Sequence, residues 1–331
     1  MTRDPAHDRR FFHSFPRPKA NESKNDTLER GLRILSFMKD CGLILAPEIV
    51  EWNVSTLSGT PDERLSLLQR RACFTELPLA ELPAHMATFG PIALAFDIPT
   101  LRSAGATPVI YLPQGTEPSA LSQISTFCVR GAYHTQYVLR QLQGLKEASD
   151  PVLAAETYAH PVSPDYKLIL KNPDKTGNIA AHYEIPASSV RDVLQFVGFN
   201  NIPFNQSIAV LNVFLNLFYP TDNTHTDEAL GYYRQREWRL IAGDINFNGR
   251  PIGRNLSKSE VAQLHNIDRR FWAHKLTVGG IRQQRSDVAL VHEPAPDWNF
   301  IEQIETIFVP EYAVPRVCAI VGNKVAVSSY A

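Results

Sequence analysis

The stretch Tyr232–Asp244, YYRQREWRLIAGD, sets one acid among cations: Glu237 follows Arg236 and precedes Trp238 and Arg239, with the apolar Leu240 and Ile241 next. Side chains alternate across a strand, so in that conformation Tyr233, Gln235, Glu237 and Arg239 share a polar face while Trp238 and Leu240 pack behind it. Two readings are open. Glu237 polarises a hydroxyl or lines a ligand cleft with Arg236 and Arg239 beside it, or these charges form an ion pair that anchors a sheet edge. Upstream, His13 stands in the aromatic run Phe11–Phe15, as a hydrogen-bonded core imidazole or as a ligand. In the segment CFTELP and just beyond it, Phe74, Thr75, Glu76 and His85 are the groups that could face a cleft, although Thr75 and Glu76 could equally cap the following turn. A nuclease would gather His13, His85 and Glu237, but no cluster of acids accompanies them. The tripeptide His182-Tyr183-Glu184 carries little weight, because alternation points Tyr183 away from its neighbours.

Elements must bring these positions together across more than 220 residues of chain. The clearest is a helix over 25–41, with Leu28, Leu32, Leu35 and Met38 on one side, Asp26 and Glu29 as a capping pair and Gly42 to end it. Leu43–Ala46 reads as a short strand stopped by Pro47, and Thr60-Pro61-Asp62-Glu63 announces a second helix running through Leu65, Leu67 and Leu68. Cys73–Thr75 is a brief strand, Leu79–Phe89 a proline-interrupted helical turn, and Ile92–Phe96 and Ala106–Pro113 are further strands. A long helix is expected over Glu117–Ala148, a hairpin joins Tyr166–Leu170 to His182–Glu184, and helices follow at Ser188–Phe196 and Ile208–Phe218. The loop with Gly249 and Gly253 lacks the Lys-Ser/Thr ending of a phosphate-binding P-loop. Ser257 or Ser259 caps a short helix around Val261–His265, and Phe300–Val309 and Arg316–Ser328 read as closing strands. Interspersed helices and short strands predict an α+β fold of mixed, short-stranded sheets with packed helices. Residues 1–10 form a loose N-terminus, and 11–331 a single domain with a helical insertion around 117–218.

Composition bounds the function. A chain of 331 residues with 44% hydrophobic content buries a large core. Lys and Arg number 33 against 34 for Asp and Glu, a net charge of -1, so any nucleic-acid contact would have to be local. Four scattered cysteines form neither a CxxC pair nor a disulfide framework, which fits a reducing compartment. No apolar segment approaches the roughly 18 residues of a membrane span, and no apolar core follows the charged N-terminus, so a soluble cytoplasmic protein without a membrane partner is expected.

Taken in order, CFTELP, His85 and Phe89-Gly90 before IALAF, then YYRQREWRLI and IETIFVP resemble the AbiGi family of abortive phage resistance proteins, over roughly residues 11 to 310. The resemblance implies a bacterial cytoplasmic protein of phage defence, an antitoxin-like component of a two-gene system with a protein partner. In outline the chain is also similar to DNA-targeting ADP-ribosyltransferase toxins: His13, Ile34-Leu35 and Gly42-Leu43 at the first helix's end, Cys73-Phe74-Thr75 mid-way and Glu237 late. That likeness implies an ADP-ribosyltransferase-like fold with NAD as substrate. His13 would position the ribose and Glu237 would stabilise the oxocarbenium-like charge as nicotinamide leaves. A non-enzymatic antitoxin or phage-sensing module is the alternative.

Overall fold

A computed structural model describes residues 9–53, 64–113, 120–149, 165–171, 179–198, 204–221, 236–242, 246–247, 250–251, 253–278, 281–292 and 299–330. Residues 1–8 of the expected loose terminus, Thr60–Glu63 and Tyr232–Gln235 lie outside them. In chain order the elements are β1 Arg9–Phe15, α1 Lys24–Cys41, β2 Leu43–Asn53, β3 Arg64–Pro78, α2 Leu82–Phe89, β4 Ile92–Phe96, α3 Ile98–Ser103, β5 Thr107–Pro108, β6 Ile110–Pro113 and α4 Ala120–Ser149. Next come β7 Asp165–Lys171, β8 Ile179–Pro186, α5 Ala187–Phe196, α6 Phe204–Leu217, β9 Phe218–Thr221 and β10 Glu237–Ala242. The rest are β11 Asn246–Phe247, β12 Arg250–Pro251, β13 Gly253–Asn255, α7 Lys258–Trp272, β14 Lys275–Val278, β15 Ile281–Gln284, α8 Arg285–Val288, β16 Leu290–His292, β17 Thr306–Val309, α9 Val314–Val321 and β18 Ala326–Ser329. The fold is α+β, as the interspersed pattern predicts.

The chain divides into two units, residues 1–130 with 213–331, and residues 131–212. The first is built on a ten-stranded mixed sheet of order β13-β16-β2-β3-β1-β4-β17-β18, with β10 alongside β3 and β5 alongside β10. Register fixes what each face carries. Phe12 and Glu237 both lie opposite Thr75, and Arg239 lies opposite Cys73, so these residues point to one face. Phe11, His13, Phe74 and Trp238 alternate to the other. That second face packs Phe11, Phe74, Leu94 and Leu240 against Leu28, Leu32, Leu35 and Met38 of α1. The first face carries a smaller cluster, Phe12, Leu77, Ala93, Ala95 and Phe308 with Leu82 and Met86 of α2. In the second unit β7 and β8 form the expected antiparallel hairpin, and Gln136 of α4 donates to Asn212 of α6. Among the described residues no helix is long and apolar enough to cross a membrane.

The sheet overrides several local signals. Arg64–Leu68 is strand, not helix: β3 runs fifteen residues, with Leu65 opposite Trp52 and Leu67 opposite Val50, so the leucines alternate rather than turn. Pro47 does not stop β2. It lies opposite Arg70, beyond the point where β16 flanks β2 at Leu43–Leu45, so its missing donor interrupts no second ladder. The cap of α1 is Ser23, whose Oγ accepts the Asp26 N–H at 3.1 Å. Arg316–Ser328 is not one strand, because Pro315 starts α9 and Gly322 (φ +66°) ends it before β18.

Candidate functional site

The polar alternation that places Glu237 and Arg239 together also runs down β3 through Cys73 and Arg71, opposite Arg239 and Ile241 of β10, to Gln69, opposite Glu48 of β2. Over that face the parallel pair β6–β9 sets Tyr111 opposite Tyr219. The result is a buried polar cluster. Glu237 Oε1 accepts from Arg239 Nε at 2.7 Å, and Oε2 accepts the Tyr111 hydroxyl. Arg239 is 2% exposed, and its guanidinium carbon sits 4.4 Å from the Tyr219 ring centroid; that of Arg71 sits 4.9 Å from the same ring. Arg71 donates to Gln69 Oε1 and to Glu48 Oε2. The Gln69 amide in turn donates to the Phe218 carbonyl at 3.2 Å, which ties β9 to β3.

Electrostatics fix the protonation states. Burial pushes the Glu237 carboxyl up, but the charge and hydrogen bond of Arg239, with bonds from Tyr111 and Cys73, outweigh it and hold the acid below its usual range. Burial works against the Arg239 charge, yet Cys73 and Glu237 beside it raise its pKa further. Burial, then Glu237, pushes the Cys73 thiol up to about 11 and the Tyr111 hydroxyl up as well, so both are protonated donors at neutral pH.

His13 is elsewhere. On one side of β3 the ladder passes from β2, which ends opposite Arg71, to β1, which begins opposite Thr75. Between them, among the described residues, Ala72, Cys73 and Phe74 have a strand neighbour only in β10. His13 fills that fork: its Nδ1 lies 2.8 Å from the Cys73 carbonyl. A carbonyl only accepts, so Nδ1 carries the proton, and burial lowers the pKa and keeps the ring neutral. The ring lies 5.5 Å from both Phe15 and Phe74. His85 of α2 bonds Ser14 Oγ at 3.0 Å, with its pKa lowered to about 4 by burial and by His13.

Of the candidates chosen from sequence, Glu237, Arg239 and Thr75 share one face. Glu76 and Arg236 meet at the mouth of β10, where Arg236 Nη1 lies 3.1 Å from Glu76 Oε1 and the Arg236 carbonyl accepts the Glu76 N–H at 3.3 Å. His13 and Phe74 lie on the opposite face from Glu237, and His85 reaches only Ser14 among the hydrogen bonds described. Sequence reasoning missed Arg71, Tyr111 and Tyr219. The signal for Arg71 is present as a polar residue at every second position of QRRACFT, once that segment is taken as strand. Tyr111 and Tyr219 lie 108 residues apart in sequence and carry no local signal. Among the described residues no three His, Cys, Asp or Glu side chains gather as a metal site requires. As it stands the cluster can hold charges in fixed positions; a catalytic carboxylate would need one of Glu237's oxygens released.

Compared with known proteins, residues 62–281, about two thirds of the chain, match the family model of AbiGi, assigned to abortive phage resistance as an antitoxin. That span contains every buried member of the cluster and leaves out only the exposed Glu48. No curated protein and no solved structure matches the chain.

Proposed function

Because the chain belongs to the AbiGi family, we propose that it serves phage defence in the bacterial cytoplasm as an antitoxin that holds the toxin of a two-gene system, not as an enzyme that turns over NAD. The observation that carries this reading is on α5. A helix packed on one side ordinarily turns polar groups to water, but here Val193, Phe196 and Val197, at i, i+3 and i+4, are 61%, 90% and 48% exposed, while Leu194 is buried. Three neighbouring apolar side chains facing solvent suit a protein partner, with Phe196 as the anchor.

The second reading, an NAD-binding ADP-ribosyltransferase-like site, draws on Glu237, which faces the same way as Thr75 from a late strand. Against it stand the two engaged oxygens of Glu237 and the placement of His13 across the sheet. One experiment separates the two. Co-expression with the toxin should restore growth for the wild type and should fail for Phe196→Asp produced at normal levels. Full protection by Phe196→Asp, or release of nicotinamide from NAD by the wild type and not by Glu237→Ala, would overturn the antitoxin reading in its present form.

A further inference from the structure

Arg239 presents an unmet demand. A guanidinium has five N–H donors, and burying one without an acceptor carries a penalty of about 1–3 kcal/mol. Arg239 is 2% exposed and spends Nε on Glu237, yet its buried Nη1 has no acceptor among the described residues. Arg71, whose guanidinium carbon lies 4.9 Å from the same Tyr219 ring, is itself 7% exposed and is paired with a carboxylate of a different kind. Glu237 is nearly enclosed, with 12% of its side chain exposed and both oxygens bound, whereas the Glu48 side chain is 51% exposed and stands at the rim. Glu48 therefore occupies Arg71 from the solvent side, as a displaceable group does.

We propose that Arg71 and Arg239, whose guanidinium carbons lie 4.9 and 4.4 Å from the Tyr219 ring centroid, form the binding site of a phosphate-type oxyanion that enters past Glu48, takes its place on Arg71 and supplies the missing acceptor to Arg239 Nη1. Charge supports this class of ligand. With Glu237 committed to Arg239 and Glu48 displaced, the site holds two guanidinium groups against one carboxylate, leaving one positive charge for the incoming anion. Guanidinium forks match the oxygens of a tetrahedral oxyanion, and a buried setting strengthens each charge-assisted bond. Free phosphate and the phosphate of a nucleotide share this chemistry. The site is independent of the apolar patch on α5, and its failure would leave the antitoxin reading untouched.

The test is calorimetric titration of the full chain with inorganic phosphate, with ADP and with adenosine, in chloride buffer of matched ionic strength. Phosphate and ADP are expected to bind and adenosine not; tighter binding of ADP identifies a nucleotide, and equal binding identifies free phosphate. Arg71→Lys, which keeps the charge and loses the fork, should weaken phosphate by about tenfold or more, the loss of one charge-assisted hydrogen bond. Glu48→Gln is the decisive variant, because it alters a half-exposed rim residue and removes the competing carboxylate. It should tighten phosphate binding by about tenfold on the same scale. A purely structural Glu48–Arg71 pair would give no such gain. Absence of binding by both phosphate and ADP, or phosphate affinity unchanged in Glu48→Gln, overturns the proposal.

Discussion

At the scale of single residues, the two arginines that flank Glu237 in sequence have opposite fates. Arg239 is buried under Tyr219 and donates to Glu237, while Arg236, with φ +41° and a half-exposed side chain, pairs with Glu76 at the strand's mouth. Taking two charges out of water is expensive, and their attraction offsets that only while both are present. Glu237→Gln leaves the Arg239 charge buried without its counter-charge and is expected to lower unfolding free energy by about 3–5 kcal/mol. Arg239→Met should do comparable harm, whereas Glu237→Gln with Arg239→Met should recover much of the loss, since neither charge then remains to be desolvated. Arg236→Ala should cost no more than about 1 kcal/mol, as screened surface pairs do. Urea denaturation of the four variants checks this, and additive losses in the double variant would count against a coupled pair.

At the scale of elements, backbone contact rather than side-chain chemistry sets the sharpest constraint. The turn from α2 into β4 passes Gly90 (φ +136°), where an added Cβ would lie 2.3 Å from the Phe15 carbonyl carbon and 2.6 Å from the Phe15 and Pro16 carbonyl oxygens. Backbone cannot step aside as a flexible side chain can, so Gly90→Ala should displace the end of β1 and lose on the order of 3 kcal/mol or more, from strain and clash together. A Cβ added at Gly131 of α4 would meet nothing within 4 Å among the described residues, and Gly131→Ala should stabilise the chain by roughly 0.5–1 kcal/mol through helix propensity. Thermal melts of the two variants should therefore move in opposite directions. The same distinction explains what was legible in the sequence. The periodicity of α1, its stop at Gly42, the apolar β4 and the alternating β7–β8 hairpin depend on neighbours close in sequence, and local pattern found them. The length of β3 did not show, because its register is set by β2, β1 and β10, and a helix-start signal at Thr60–Glu63 outweighed the alternation of Leu65 and Leu67. For the candidate site, sequence found Glu237 and its arginines but set His13 in the same hollow. The face each residue takes follows from strand pairing, and only register reveals that Phe12, not His13, shares the side of Glu237.

At the scale of the whole molecule, buried titratable groups bound the pH range of stability on both sides. His85 and His292 are each lowered to about 4, by burial first in both; His13 adds to the effect at His85, and at His292 the bond to the Ala104 carbonyl opposes it. Their stabilising effect is complete above the ordinary histidine value of 6.5 and is lost as pH falls from there toward 4, because the unfolded chain takes up those protons first. Below that, hydrogen bonds from Arg30 and Arg254 hold Glu22 and Glu260 down to about 2, so loss continues as pH falls from 4.5. On the alkaline side burial pushes Cys73 up to about 11 and Cys41 up to about 12, so the unfolded chain ionises first and stability declines as pH rises past 9. A net charge of -1 leaves little overall repulsion to blur these limits at neutral pH. Urea midpoints should therefore be level between about pH 6.5 and 9 and fall on either side, each preferentially protonated group adding up to about 1.4 kcal/mol per pH unit to the acid limb. His85→Gln removes one of those groups and should flatten the limb between pH 6.5 and 4 without moving the alkaline one. An acid limb of equal slope in that variant would mean that His85 protonates alike in the folded and unfolded chain, and that its bond to Ser14 does not depend on a neutral ring.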